Sequence, residues 1–337
     1  MNSLKRIACL GAALAAVVAA APSLASAQDA PPKLNLPFTP KGARGAYNGP
    51  GSSTKEGPGE TSPYKSAREH YEALKAAAHG GTKMALGDYP DWSGVWNIDG
   101  GFVNFDPTLA RDATHYGPLA PGNQAFYDKT LRDLENGIEW DSLSYCLPAG
   151  FPRWISEPFL RDFAITPKVV YLINEQQSEA RRVYTDGRGH RPDDEAFPLW
   201  EGDSIGFWDG KGEHAKLVIW TKDLKSGVYH RNGPRYSDKA ESIEVMYKVD
   251  PTHIKVDLTM YDPVDLTRPW TVHRGYVKDP LPNGHIDMWS CEENNNVVKT
   301  SSGGSDFVLP GEAGYKDPDT HGDPTKQQGQ GAGNTAK

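Results

Sequence analysis

Alternation of side chains at every second position is the feature that most constrains the fold of this 337-residue chain. A period of two places successive side chains on opposite faces of an extended strand. Asp-Gly and Asp-Pro pairs, which favour tight bends, separate several of these segments. The pattern predicts a meander of antiparallel strands over residues 168–177, 180–185, 204–208, 215–222, 241–249, 253–261 and 270–277.

So many hairpin-linked strands need a second sheet or closure into a barrel, because open strand edges promote aggregation. Gly94 and Trp96 form a Gly-x-Trp pattern that resembles the opening strand of lipocalin-type barrels. In those barrels the tryptophan closes one end and an arginine from a late strand lies across its ring, so we expect Arg274 to cover Trp96. The predicted fold class is all-β, an antiparallel meander closed into a lipocalin-like (calycin-type) barrel with an internal pocket.

Two helices and two flexible segments complete the predicted organisation. A helix is predicted over residues 123–136, which end in Asn-Gly, and a weaker one over residues 63–78. Residues 28–66 and 303–337 show no sustained apolar period. The predicted order is a signal peptide (1–27), a flexible arm with a short helix (28–84), the barrel domain (85–300) and a disordered tail (301–337).

The N-terminus has the pattern of a secretory signal peptide. Lys5 and Arg6 precede an apolar stretch at residues 7–21, and the small residues Ala25, Ser26 and Ala27 follow. The apolar stretch is too short for a membrane-spanning helix. We therefore predict export to the periplasm with cleavage near Ala27.

Charge and cysteine content limit the partners. Loss of Lys5 and Arg6 takes the formal net charge from -8 to -10, which argues against nucleic acid and anionic membranes, since both bind basic surfaces. A small molecule is the expected partner, and a homodimer is left open.

Cys146 and Cys291 remain after cleavage and can form a disulfide in an oxidising compartment. A thiol nucleophile is the weaker interpretation, because no local catalytic signature surrounds either cysteine.

Residues 175–192 hold the densest set of proton-transfer and anion-binding groups: four arginines, a tyrosine, a histidine and three carboxylates. Arginine offers a permanent charge and a planar donor fork for carboxylates, while tyrosine and histidine can donate or relay protons. The set favours a small acidic organic ligand. The alternative is that these charges lie on the solvated outer face of a hairpin and pair with one another.

Other reaction classes lack their motifs. The histidines are scattered and there is no Cys-x-x-Cys pair, so no metal site is predicted. The sequence has no Gly-x-Ser-x-Gly elbow, no phosphate loop and no dinucleotide-binding Gly-x-Gly-x-x-Gly. These absences argue against esterase, kinase and dinucleotide-dependent chemistry.

Several motifs recur together over residues 90–296. They are Cys146-Leu147-Pro148, Pro152-Arg153-Trp154, Ile165-Thr166-Pro167, residues 181–188 with His190, residues 204–208, Thr267-Arg268-Pro269-Trp270 and residues 291–294. With these motifs the chain resembles a family of exported bacterial proteins with lipocalin-like barrels, and similar members include cofactor-independent decarboxylases of phenylcoumaran carboxylates from lignin-derived dimers. Where relatives often continue Gly-Arg-x-His-Pro, this chain has His190-Arg191-Pro192.

The resemblance implies decarboxylation of a small aromatic carboxylate without a cofactor. Loss of the para-hydroxyl proton lets the ring ether leave as an aryl oxide and gives a quinone methide, which accepts the electrons released with carbon dioxide. The protein then has to supply a base for the phenol, an acid for the aryl oxide and a cation for the carboxylate.

Five residues are the predicted catalytic group. Arg182 and Tyr184 share one face of their strand, and we expect that face to point into the barrel. Arg182 is assigned to the substrate carboxylate, and Tyr184 or His190 to proton transfer. Asp186 or Glu175 is assigned to orienting the histidine or the arginine.

Five further residues are the predicted substrate-binding group. Tyr236 and His230 belong to residues 229–238, which we expect at the barrel mouth. Trp154 can stack on an aryl ring, although core packing is the more ordinary role of such a residue. Tyr171 lies on the strand before Arg182, and Arg188 either joins the site or braces the turn at residues 186–187.

Two alternatives to a decarboxylase stay open, because fold does not fix function. The chain can be a periplasmic carrier of aromatic ligands, or another lyase or isomerase on the same barrel. An enzyme should place an ionisable acid-base pair beside one ligand atom, whereas a carrier should show apolar walls with a single orienting charge.

Overall fold

The alternating segments form strands, and nine of the described strands close into a barrel. The computed structural model describes residues 61–99, 104–106, 109, 116–136, 138, 141–280, 284–287, 297–299, 305–308 and 312. All of them belong to one compact unit, Arg44–Lys337. The barrel and its two α-helices confirm the predicted fold class.

The seven strands predicted from alternation are all present, and no end differs from the prediction by more than three residues. The α-helices are α1 (Ala67–Ala77) and α2 (Pro121–Glu135), and short 3-10 helices cover Ser142–Tyr145, Arg153–Ser156, Gln176–Ser178 and Gly212–His214. The strands are β1 (Val95–Ile98), β2 (Arg161–Ile165), β3 (Val169–Asn174), β4 (Glu179–Tyr184), β5 (Asp203–Asp209), β6 (Lys216–Lys222), β7 (Gly227–Val228), β8 (Arg235–Tyr236), β9 (Glu241–Asp250), β10 (His253–Tyr261), β11 (Trp270–Lys278), β12 (Val297–Lys299) and β13 (Ser305–Phe307).

The order around the barrel is β1-β11-β10-β9-β6-β5-β4-β3-β2, and β2 pairs back onto β1. Every pair in this barrel is antiparallel except β4–β5, which is parallel and holds only Val183–Ser204 and Tyr184–Ile205. A parallel pair needs a long crossover connection, which residues 185–202 provide. The antiparallel prediction is therefore wrong at this one seam.

Two apolar clusters flank the barrel wall. Side chains such as Val170, Leu172 and Val183 fill the interior. The second cluster lies on the outer surface of β5, β6 and β9, where α1 covers it. Tyr71 of α1 packs there against Phe207, with ring centroids 5.3 Å apart.

Helix α1 begins where local chemistry predicts a start. Ser66 is its N-cap, and the Ser66 Oγ atom accepts a hydrogen bond from the backbone amide of Glu69 at 3.2 Å. This bond satisfies one of the amides left unpaired at the first turn. The cap stabilises the start of the helix, and the packing of Tyr71 holds the helix against the barrel wall.

Trp96 is fully buried inside the barrel, as a structural tryptophan should be. The cation near its ring is Lys278, whose Nζ atom lies 5.7 Å from the ring centroid. Arg274 is also buried, but its Nη1 atom donates to the backbone carbonyl of Asn104 at 2.9 Å. The expectation that Arg274 covers Trp96 is therefore not met, and Lys278, four residues later on the same strand, occupies that place.

The remaining predictions concern the signal peptide, the two cysteines and the C-terminal segment. The signal peptide and Cys291 lie outside the described residues, while Cys146 is disulfide-bonded. Within the segment predicted as a disordered tail, Ser305–Phe307 pairs with Val297–Lys299. Among the described helices, none is both long enough and apolar enough to cross a membrane.

Candidate functional site

Strand β4 turns the predicted catalytic pair outward. Its inward side chains are Arg181 and Val183, which are buried, whereas Arg182 is exposed and Tyr184 is half-buried on the other face. The prediction that Arg182 and Tyr184 face the interior is therefore wrong. Because the side-chain period of a strand is two, a phase error of one residue moves the whole set to the other face.

The outward groups contact one another on the barrel wall. The Arg182 guanidinium lies 5.8 Å from the ring centroid of Tyr171, and that of Arg188 lies 4.1 Å from the ring of Tyr184. Arg188 also forms an ion pair with Asp186 at 2.7 Å. Arg188 thus braces the turn, and this part of the motif matches the alternative of a solvated, self-paired face.

Asp203, rather than Asp186 or Glu175, holds His190. The Nδ1 atom of His190 lies 2.9 Å from the Asp203 Oδ2 atom, and the amide of residue 191 donates to the same oxygen at 3.0 Å. Burial alone would raise the pKa of Asp203, but these hydrogen bonds and nearby positive charge lower it overall. Glu175 instead accepts the backbone amide of Leu160 at 3.1 Å.

Three predicted substrate-binding residues are buried in the fold and not at an open mouth. Tyr236 and His230 are enclosed, and the Tyr236 hydroxyl donates to the backbone carbonyl of Phe151 at 3.2 Å. Trp154 is also buried, and its Nε1 atom donates to the Glu201 carboxylate at 2.8 Å. The expected mouth position of Tyr236 and His230 is therefore wrong, because the chain around them packs into the core.

A different arginine, Arg181, occupies the interior at the β4–β5 seam. Its Nε atom donates to Ser204 Oγ at 3.1 Å, and its Nη2 atom donates to Thr221 Oγ1 at 2.5 Å and to the Glu244 carboxylate. The guanidinium also lies 3.8 Å from the ring centroid of Phe151. Arg181 therefore joins four neighbouring strands across the shortest pairing in the barrel wall.

Arg161 of β2 is a second interior arginine, with 0 % of its surface exposed. Its Nη2 atom donates to the backbone carbonyls of Trp154 and Glu157. The Nε and Nη1 atoms are shielded from solvent and have no hydrogen-bond partner among the described residues, and Arg161 forms no ion pair there. Burial lowers the pKa of its guanidinium, with nearby Tyr276 and Glu157 acting in the opposite direction.

Tyr276 of β11 brings a phenol beside these cations. It is buried, and burial raises the pKa of its hydroxyl. The nearby guanidinium groups of Arg161, Arg274 and Arg181 oppose that rise, whereas Glu244 adds to it. The interior thus contains guanidinium groups and a phenol, but on Arg161, Arg181 and Tyr276 and not on the predicted Arg182 and Tyr184.

Glu201 supplies a carboxyl with an altered proton affinity. Burial, together with repulsion from Glu179, raises the pKa of Glu201 from 4.5 to about 8. Its Oε2 atom accepts from Trp154, while its Oε1 atom is shielded and has no partner among the described residues. The residue as a whole is half-buried, but both observations place the carboxyl itself out of bulk water.

We call Arg161, Arg181, Glu201, Glu244 and Tyr276 the buried polar cluster. Burial alters the pKa values of Glu201, Arg161 and Tyr276, and groups with altered pKa values concentrate at functional sites, so this cluster is the candidate active site. Within the part of the chain that the structure describes, no group of three or more His, Cys, Asp or Glu side chains is placed to hold a metal ion.

Sequence analysis missed this cluster because both faces of β3 are apolar. Val170 and Leu172 point inward, but Tyr171 and Ile173 would have satisfied the same pattern. The sequence did contain one signal for the correct face, namely Val183. If Arg182 and Tyr184 faced inward, Val183 between them would be an apolar side chain on the outer face. Its place in β4 favours the phase that also buries Arg181.

Glu201→Gln is expected to stabilise the fold more at about pH 8.5 than at about pH 5. The folded chain keeps the Glu201 proton up to a pKa of about 8, whereas the unfolded chain loses it near 4.5. The free energy of unfolding therefore falls by about 2 kcal/mol or more as the pH rises from 4.5 to about 8. A glutamine at this position has no proton to lose, so the variant does not show this fall. Urea unfolding at both pH values measures the difference, with exposed Glu195→Gln as the control. A gain in stability that is equal at both pH values would contradict the raised pKa of Glu201.

No protein-family model and no curated protein matches this chain.

Proposed function

We propose that this protein is a cofactor-independent carboxy-lyase that decarboxylates an aromatic dimer acid, such as a phenylcoumaran carboxylate, at the buried polar cluster. The observation that carries the proposal is Arg161, a fully enclosed guanidinium with two nitrogens unpaired among the described residues. A buried charge without a counter-ion is costly, so an anionic ligand that pairs with it would stabilise the site. A carboxylate matches the planar donor fork of arginine.

The surroundings of Arg161 suit an aromatic ligand. The Arg161 guanidinium lies 5.4 Å from the ring centroid of Trp154, and that of Arg181 lies 3.8 Å from the ring of Phe151. Aromatic rings of a ligand can pack against such side chains in offset or edge-on geometry. Because Nε and Nη1 of Arg161 are shielded, binding requires that interior side chains move aside.

In the proposed reaction Arg161 orients the substrate carboxylate, and Tyr276 and Glu201 act as the general acid and general base. A base removes the para-hydroxyl proton, the ring C–O bond breaks, and its electron pair stays on the ether oxygen, which takes up a proton. The bond to the carboxylate then breaks, and its electron pair enters the quinone methide and restores the phenoxide as carbon dioxide leaves. A pKa of about 8 lets Glu201 accept and return protons near neutral pH.

The arginine contributes to rate only if it favours the transition state. Binding the carboxylate equally well before and during the reaction would lower KM without raising kcat. An enclosed, low-dielectric site favours loss of charge from the carboxylate as carbon dioxide forms. The burial of Arg161 supports this role.

A carrier of aromatic ligands is the second candidate. The observation in its favour is the apolar interior wall, to which Val170, Leu172 and Val183 contribute. A carrier needs such walls and one orienting charge, and it needs no acid-base pair.

Incubating the purified protein with a phenylcoumaran acid distinguishes the two. An enzyme releases carbon dioxide and gives stilbene absorbance with many turnovers per protein molecule. A carrier binds the acid and returns it unchanged. Neither binding nor turnover with a set of aromatic dimer acids would contradict both proposals.

We also propose that the chain belongs to the exported lipocalin-like family and works in the periplasm. The closed barrel supports this, as does the burial of Arg153, Trp154 and Arg181, which belong to the motifs of the resemblance. Cell fractionation with N-terminal sequencing tests it. A periplasmic protein that starts near Gln28 is the expected result, and an uncleaved protein in the cytoplasm would contradict it.

A further inference from the structure

An open groove of about 1040 Å³ lies on the outer wall of the barrel. Helix α1 and residues 80–84 form one side, residues 167–168 and 185–193 form the other, and β5 and β6 form the floor. Ile205 and Phe207 belong to the outer apolar cluster, whereas Ser204 contacts Arg181 inside. The sheet therefore separates this groove from the buried polar cluster, and the volume suits a small organic ligand.

The groove carries an excess of positive charge. Seven cationic side chains and three carboxylates line it. Arg188 is paired with Asp186, and Lys222 with Asp193. Such an excess on both sides of a groove attracts an anionic ligand. The lining cations that form no ion pair with the described residues are Arg68, Lys75, Lys83, Lys168 and Arg191.

The floor of the groove is aromatic. Tyr71 packs against Phe207 and Trp220, with ring centroids 5.3 Å and 5.4 Å apart. The Arg68 guanidinium lies 5.8 Å from the Trp220 ring centroid. Tyr71 is 4 % exposed and Phe207 and Trp220 are 8 % exposed, so a flat ligand ring would pack against the exposed edges of these side chains, with Arg68 beside it as a cation contact.

A buried polar atom in the groove wall has no partner. The His190 side chain is 8 % exposed, and its ring meets Trp220 edge-on with centroids 4.5 Å apart. Asp203 binds Nδ1, whereas Nε2 has no hydrogen-bond partner among the described residues. Because Nδ1 donates to the Asp203 carboxylate, Nε2 of the neutral imidazole is an acceptor, and a hydroxyl donor on a ligand would complete the bonding of this histidine.

We propose that this groove is a second binding site, distinct from the barrel interior, for a planar aromatic anion with a carboxylate or sulfonate group. The unpaired cations hold the anionic group, and the Tyr71, Phe207 and Trp220 floor holds the ring. The site does not depend on the reaction proposed for the interior, so either proposal can fail without the other.

Calorimetric titration of the purified protein with 2-naphthoate tests the site. The double variant Arg68→Glu, Lys168→Glu reverses one unpaired cation on each side of the groove. We expect it to weaken the binding of 2-naphthoate by tenfold or more. Neutral 2-naphthol and the non-aromatic cyclohexanecarboxylate are expected to bind the unmodified protein at least tenfold more weakly than 2-naphthoate.

The matched control is Lys216→Glu, Lys239→Glu, which makes the same change in net charge at two exposed lysines outside the groove lining. It should bind 2-naphthoate as the unmodified protein does. No binding by the unmodified protein, or equal affinity in both double variants, would overturn the proposal. If the unmodified protein binds two molecules of 2-naphthoate and the groove variant binds one, the groove is the site that was lost and the barrel interior is the site that remains.

Discussion

Tyr276→Phe is expected to lower kcat for a phenylcoumaran acid by about 100-fold or more, because it removes the phenol that we propose exchanges protons with the substrate. The change deletes one hydroxyl from a buried ring and keeps its packing. Arg161→Lys is expected to lower kcat as well, since a lysine ammonium lacks the planar donor fork that orients a carboxylate. Carbon dioxide release under single-turnover conditions measures the chemical step in both variants.

The controls come from the outer wall. Tyr184→Phe and Arg182→Lys make the same chemical changes at residues that face away from the cluster, and their rates should stay within about twofold of the unmodified protein. Circular dichroism checks that each variant is folded. If Tyr184→Phe loses activity while Tyr276→Phe keeps it, the interior assignment is wrong and the reaction belongs to the outer face.

Arg181→Met is expected to destabilise the protein by about 3 to 5 kcal/mol, because it leaves the Glu244 carboxylate buried without its counter-ion. It also removes the hydrogen bonds that join β4 to Ser204 and Thr221 across the parallel seam. With only two residue pairs between β4 and β5, little other bonding holds that seam. For a domain of this size we expect the melting temperature to fall by about 6 °C or more.

Arg182→Met is the matched control one residue away, and it should change stability by no more than about 0.5 kcal/mol because Arg182 is exposed. Chemical denaturation measures both variants. The double variant Arg181→Met, Glu244→Leu should recover part of the loss, since it removes the stranded charge. Equal stability of the Arg181 and Arg182 variants would contradict the proposed role of Arg181.

Much of the fold could be predicted from local sequence signals. The strand at His253–Tyr261 has the predicted ends, and the helix at Pro121–Glu135 begins two residues before the prediction. These elements have strong periodicity and clear turn residues at their ends. Strand β2 was missed because Arg161 and Asp162 interrupt its apolar pattern, and Arg161 is buried by its neighbours and not by its own hydropathy.

The residues of the candidate site could not be predicted from the sequence. Arg182 and Tyr184 were expected inside the barrel, but both lie on its outer face, and the interior holds Arg161, Arg181 and Tyr276. Adjacent arginines at residues 181 and 182 made the phase of β4 a choice between two similar faces. Likewise, the carboxylate that holds His190 is thirteen residues away in sequence, across the crossover, so spacing could not identify Asp203.

By itself the sequence determined where most of the strands and the two helices lie, because alternation and turn chemistry act within a few residues. Alternation left open whether the strands pack on a second sheet or close into a barrel. Only the tertiary structure decided which face of β3 and β4 points inward. Both faces of β3 are apolar, so hydropathy alone does not distinguish them, and barrel closure sets the phase through pairing with strands far along the chain. That one choice buries Arg181 and exposes Arg182.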